Sequence, residues 1–257
     1  MDAVVASVHR FARSAAVAAV LAAAACSSPT APTLRQATAP RLARTRFLAF
    51  GDSITAGEVT VPLPGLSDGG EWISRPQIQV LAAAYPTVLG DLLQAHCPSQ
   101  AHDIVVSNAG KGAEPMFEAF PRFVDTMNLL APEVVLLLGG YNDLAGLGTD
   151  GVERGSAAMR AMAVEAKNRG ALVFLATLTP NRPARQRTIA ESLLLAFNDR
   201  IRGIATAERV TLVDLYPALL AGADNYIGID GLHPTEIGYR RIAETFFAAV
   251  VNDLESR

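Results

Sequence analysis

The sequence predicts one α/β domain, a parallel sheet with helices on both faces, and three observations predict it. Short apolar runs of strand length alternate with longer amphipathic stretches from about residue 46 onward. The runs are rich in Val, Leu, Ile and Phe without polar alternation, as expected of strands covered on both faces. Half of the 257 residues are apolar, enough for the core of a single domain of ordinary size. The order βαβαβαβαβα then implies parallel strands joined by right-handed crossovers.

The chain opens differently. Arg10 and Arg13 precede a small apolar run from Ser14 to Ala25 that stops at Cys26. That run is too short to span a bilayer, and a basic flank, a short apolar stretch and small residues before a boundary mark residues 1–25 as a secretory signal peptide. The protein is therefore expected to be secreted or held in the cell envelope. Cys26, followed by Ser27-Ser28-Pro29, sits where a bacterial lipoprotein carries its lipidated cysteine, although Ala23 stands where Leu is usual. Membrane anchoring through a lipidated Cys26 and ordinary cleavage after an Ala-x-Ala site both stay open. Cys97 is the one other cysteine, so a disulfide framework is excluded. Residues 26–45 are rich in Ser, Thr, Ala, Pro and Arg and lack apolar periodicity, the composition of a flexible tether. The folded domain is expected over residues 46–257.

Within it the candidate strands are Phe47 to Phe50, Asp103 to Ser107, Val134 to Leu138, Leu172 to Ala176 and Val210 to Val213. Helical stretches run at about Pro86 to Ala95, Pro115 to Leu130, Val152 to Arg169, Ile189 to Ala207 and Thr235 to Leu254. In the last, Ile242, Phe246 and Val250, flanked by Ala243 and Phe247, form one apolar stripe. An open parallel sheet gathers its ligand site beyond the carboxyl ends of its strands. Gly51-Asp52-Ser53-Ile54-Thr55 follows the first strand, Asn108-Ala109-Gly110 the second, and Gly139-Gly140-Tyr141-Asn142-Asp143 the third, while Asp230-Gly231-Leu232-His233-Pro234 precedes the last helix.

An ester hydrolase needs a nucleophile, a base, a group to orient the base, and donors aimed at the oxyanion. Ser53, in a tight turn after a buried strand, suits the nucleophile. His233 suits the base, since an imidazole ordinarily titrates near pH ~6.5. Asp230, three residues earlier, can turn back to hold the other ring nitrogen. The backbone N–H groups of Ser53 and Gly110 and the side-chain amide of Asn142 are the candidate oxyanion donors. Taken singly each signal is weak, because Ser after a strand often caps a turn and Asp-Gly is a common loop dipeptide. His9, His96 and His102 have no comparable partner in sequence and are read as structural.

Together these segments resemble the SGNH or GDSL hydrolases, esterases and lipases of flavodoxin-like fold. The resemblance rests on Gly51-Asp52-Ser53-Ile54-Thr55, Asn108-x-Gly110, Gly140-x-Asn142-Asp143 and Asp230-x-x-His233-Pro234, and spans about residues 46–250. It implies a three-layer αβα sandwich with a central, mostly parallel five-stranded sheet. It also implies a serine esterase whose name-giving residues are Ser53, Gly110, Asn142 and His233, with Asp230 completing the triad. Short-chain or acetyl esters, small-molecule or glycan, are the expected substrates. The chain departs from the family at Ala113, where a glycine is frequent, and in the long stretch from Glu58 to Ala84, read either as a substrate-lining loop carrying Trp72 or as a surface excursion.

Other classes fit less well. A formal charge of −3 offers no basic surface for nucleic acid. Gly146-x-Gly148-x-x-Gly151 has the letters of a dinucleotide fingerprint, but loop residues separate it from the strand and Ala171 stands where an acid belongs. There is no phosphate-binding loop, no His-Glu-x-x-His and no paired Cys motif, so neither cofactor nor metal is expected. The rival readings are a non-catalytic envelope lipoprotein that binds a glycan or partner, and an O-acyltransferase with the same machinery.

Overall fold

The computed structural model describes residues 39–61 and 77–256. The predicted signal peptide, Cys26 and Trp72 lie outside them. Five strands form the main sheet: β1 (Arg46–Gly51), β4 (Val105–Gly110), β5 (Val134–Leu138), β6 (Leu172–Ala176) and β7 (Thr211–Val213). All four pairings are parallel, in the order β4-β1-β5-β6-β7. The uninterrupted Val-Val-Leu-Leu-Leu of β5 is buried along its whole length, because helices cover both faces of the sheet.

Helices α2 (Tyr85–His96) and α9 (Glu236–Leu254) pack on each other, joined by the stacked rings of Tyr85 and Phe246, 5.1 Å apart. Helices α3 (Met116–Leu130), α5 (Thr149–Asn168) and α6 (Glu191–Glu208) form a second packed set. Phe50 of β1 meets Phe123 of α3 edge to face at 5.0 Å. The result is the three-layer sandwich that the sequence predicts. In α9 the stripe Ile242, Phe246 and Val250 is fully buried, and Thr235 caps the helix by accepting the Gly238 N–H at 3.1 Å.

Several elements differ from the sequence expectation. β4 runs two residues later than expected at its start and continues to Gly110, because Pro98–Gln100 form a 3₁₀ turn and the strand end pairs with Gly51 of β1. Residues 139–148 contain a short helix, α4 (Tyr141–Leu147), and two more, α7 (Leu215–Leu220) and α8 (Ala223–Tyr226), follow β7. The stretch after Ser53 is not simply a loop. Beyond α1 (Ser53–Ala56), strands β2 (Glu58–Thr60) and β3 (Gln77–Gln79) form an antiparallel hairpin. Leu42, ahead of the expected start at residue 46, is buried and bridges Glu255, while Ala43 donates its N–H to the Leu254 carbonyl.

The sheet order places the site. The chain leaves β1 for the edge strand β4 on one side, then crosses to β5 on the other. The connections above β1 and β5 therefore part company, leaving a crevice at their carboxyl ends. Ser53 stands two residues beyond β1, and Asn142 four beyond β5.

Candidate active site

The turn out of β1 is dictated by space. A Cβ on Gly51 would lie 1.8 Å from the Leu138 carbonyl oxygen, so only glycine lets β1 pass β5 there. Asp52 then caps α1, its Oδ1 accepting the Ile54 N–H at 3.0 Å. Ser53 takes the first helical position, 6% exposed, with a backbone N–H that has no intrahelical acceptor.

His233 arrives from the far end of the chain. Gly231, at φ +90°, turns the backbone between Asp230 and His233. The Asp230 Oδ1 accepts the N–H groups of Leu232 and His233, each at 3.0 Å. Its Oδ2 lies 2.6 Å from His233 Nδ1, and His233 Nε2 lies 2.9 Å from Ser53 Oγ. With Nδ1 donating to the carboxylate, Nε2 is left as the acceptor facing the serine hydroxyl. Both His233 and Asp230 are almost wholly buried. Burial would push the Asp230 carboxyl up. The hydrogen bond and charge of His233, together with the Thr60 hydroxyl, outweigh it and hold the group below the usual carboxylate range.

A loop clasps this corner from outside. Arg182 and Arg187 donate backbone N–H groups to the carbonyls of Gly231 and Asp230, at 3.1 and 2.8 Å. The Arg187 Nε stands 3.8 Å from Asp230 Oδ2. Asp52, one residue before the serine, is buried and pushed up to about 6, chiefly by loss of solvation.

Of the two remaining candidate residues, Gly110 ends β4 and Asn142 follows β5. Gly110 is in register with Gly51, and a Cβ there would lie 2.1 Å from the Ala56 nitrogen, so α1 rests directly on it. Its N–H donates to Asn108 Oδ1 at 2.9 Å and is not free in this structure. Asn142 lies in the first turn of α4 and gives one amide hydrogen to the Glu114 carbonyl at 3.2 Å, leaving a second donor. Arg122 ties the strand ends together, donating to the Ala109 and Gly51 carbonyls at 2.8 and 3.3 Å and pairing with the buried Glu114. Ala113 adopts φ +59°, a left-handed conformation that glycine takes up with less strain.

Gly146, Gly148 and Gly151 fall at the α4–α5 junction, where a Cβ on Gly151 would sit 2.1 Å from the Asp143 carbonyl oxygen. Gly151 lets the two helices meet closely, whereas Gly148, at φ +55°, turns the chain between them and Gly146 has open space around it. Among the described residues no group of three or more His, Cys, Asp or Glu is arranged to hold a metal ion, and no helix is long and apolar enough to cross a membrane. His96, read as structural, pairs with Glu255 at 2.7 Å.

Residues 49–241, spanning all five candidate site residues, match the family model described as GDSL-like lipase/acylhydrolase. The chain belongs to the GDSL-like lipase/acylhydrolase family. No curated protein matches it. Among solved structures, a lipase/acylhydrolase from Enterococcus faecalis superposes with a TM-score of 0.63 at 21% identity, covering 83% of this chain and 98% of its own. An acetyl xylan esterase gives 0.62 at 23% identity, with 79% and 98% covered. An alpha/beta hydrolase from the Lake Arreo metagenome gives 0.61 at 22%, with 80% and 94% covered. At these identities the likeness shows the fold.

Sequence reasoning alone missed two neighbours of the Asp230–His233 pair. Thr60 donates its hydroxyl to Asp230 Oδ2 at 2.6 Å, and Glu58 Oε2 lies 4.0 Å from His233 Nε2. The faint available signal was that Glu58 and Thr60 alternate, as side chains on one face of a strand do.

Proposed function

We propose that this GDSL-family protein is a carboxylic ester hydrolase acting by two-step acyl transfer. The observation that carries the reading is the unbroken hydrogen-bonded chain from Ser53 Oγ through His233 to the buried Asp230. Ser53 Oγ attacks the ester carbonyl carbon while its proton passes to His233 Nε2. The imidazolium formed is steadied by Asp230. The oxyanion is met by the Ser53 N–H and the free Asn142 amide hydrogen, joined by the Gly110 N–H once Asn108 releases it. The C–O bond to the alcohol then breaks, His233 returning the proton to the leaving oxygen. Water adds to the acyl-serine by the same route, freeing the acid and Ser53.

Short-chain or acetyl esters, including acetylated sugars, are the proposed substrates. Support comes from the resemblance of the fold to an acetyl xylan esterase and from the carboxylate of Glu58 close to the reacting atoms, which an extended apolar acyl chain would have to desolvate. The basic flank and apolar run before Cys26 further favour a secreted or envelope protein.

Hydrolysis of a p-nitrophenyl acyl ester series by the wild type and by Ser53→Ala tests the reading. Turnover of the shortest esters that vanishes in the variant is the expected result. Turnover that survives the substitution would remove Ser53 from the chemistry. Absence of turnover at every chain length would move the assignment to an acyltransferase or a binding protein.

A further inference from the structure

The hairpin β2–β3 is pinned against the triad from several sides. The Tyr239 hydroxyl donates to the Glu58 carbonyl at 2.6 Å, Gln79 Nε2 to the Ala56 carbonyl at 2.8 Å, and the Val80 N–H to the Gly57 carbonyl at 2.9 Å. With its amide oriented to suit both neighbours, Gln77 accepts from Arg187 Nε at 2.9 Å and donates to Glu58 Oε2 at 3.2 Å. Because side chains alternate along a strand, this anchoring brings two of the three β2 residues to one place. Glu58 reaches the imidazole and Thr60 the carboxylate.

Thr60 is 5% exposed, and its hydroxyl hydrogen goes to the same Asp230 oxygen that accepts from His233, both at 2.6 Å. The Asp230 carboxylate therefore receives four donors, two at each oxygen. The backbone pair on Oδ1 fixes where the group sits. The pair on Oδ2 fixes its plane and completes the solvation that burial removed.

We propose that Thr60 is a positioning residue of the active site, holding the Asp230 carboxylate in the orientation and ionised state that His233 requires. The proposal rests on the triad assignment above and adds a fourth residue, from a strand that carries no family motif. A hydroxyl donating to a carboxylate favours its charged form, so Thr60 keeps Asp230 ionised to lower pH. The other groups facing Asp230 are His233, the Arg187 Nε at 3.8 Å and the buried Tyr239, while Glu58 faces His233 from 4.0 Å and the buried Asp52 acts on it through its charge. Each remains in place when Thr60 is changed, so a displaced titration would report the lost hydroxyl.

The test compares the full chain with Thr60→Val, which keeps the shape and removes the donor, and Thr60→Ser, which keeps the donor. Thr60→Val should lower kcat on p-nitrophenyl acetate by about 10–100-fold, with KM changed by less than about twofold, the range for losing a hydrogen bond to a charged group. Its acid limb should move to higher pH, and Thr60→Ser should return kcat to within about threefold of wild type, since the donor is restored. A Thr60→Val kcat equal to wild type with an unmoved acid limb would overturn the proposal. Equal losses in Thr60→Val and Thr60→Ser, with parallel falls in melting temperature, would overturn it too, as the mark of a merely structural residue. Titration of the Asp230 carboxyl by ¹³C NMR in wild type and Thr60→Val separates the two assignments. If the wild type hydrolyses nothing, the ester-hydrolase reading fails, while an upward-shifted Asp230 titration in the variant still upholds Thr60 and an unshifted one overturns it.

Discussion

Asn142 gives one amide hydrogen to the Glu114 carbonyl, and the proposed mechanism assigns the other to the oxyanion. A donor of this kind acts in the transition state more than in the ground state. Asn142→Ala should therefore lower kcat by about 10²–10³-fold with little change in KM in steady-state kinetics, and an unaltered kcat would strike it from the oxyanion hole. At this scale the residues brought together at the candidate site were legible, because Asp230 and His233 are three residues apart, Ser53 and Asn142 each stand two residues after a glycine, and Gly110 ends its own strand. Thr60 was illegible for the opposite reason. Its partner lies 170 residues away, and a lone threonine carries no mark of what it will meet. Asn108, legible as part of a motif, turned out to hold the Gly110 N–H itself.

Among the elements, α3 shows how the site is held from behind. Its N-cap position is Pro115, which has no capping side chain, and the first two N–H groups of the helix, on Met116 and Phe117, donate instead to the two oxygens of Asp143 at 2.8 and 3.1 Å. Asp143 sits beside Asn142 in α4, so one carboxylate joins two helices next to that side chain. Asp143→Ala would leave two N–H groups without a partner and should cost about 2–4 kcal/mol of stability by urea unfolding. A loss below about 0.5 kcal/mol, the scatter of ordinary surface changes, would show that water replaces the cap. The five main strands were readable as short uninterrupted apolar runs, and the five long helices because their length shows an apolar face. The short helices α4, α7 and α8 make too few turns to show a helical stripe, and β2 and β3 carry no run of apolar residues, so neighbouring structure decides them.

For the molecule as a whole, the parallel pairing and a site beyond the carboxyl ends of the strands followed from strand–helix alternation, whereas the order of strands, and with it the crevice between β1 and β5, needed the folded chain. The same packing stores a cost in Asp52. Its carboxyl shifts from 3.8 to about 6 on folding, so in that window the folded chain holds more protons than the unfolded one and stability falls as pH rises. Asp52→Asn removes that dependence. Compared by urea melts, the variant should gain on wild type by on the order of 3 kcal/mol between about pH 4 and 6 and hold that gain above. Asp230 and Glu114, both held below the usual range, lose their contribution in acid in either protein and cancel in the difference. A gap that stays constant with pH would show that Asp52 is not the group responsible.

Ser53 and His233, the proposed nucleophile and base, are 180 residues apart in the chain. During synthesis Ser53 emerges early and His233 near the end, and the loop that must close between them is almost the whole domain. Under the proposed mechanism, hydrolytic power is therefore a property of the finished chain alone. Products of interrupted synthesis or of proteolytic trimming that lack the last turn and α9 carry a serine without a partner, and are inert rather than weakly and indiscriminately active.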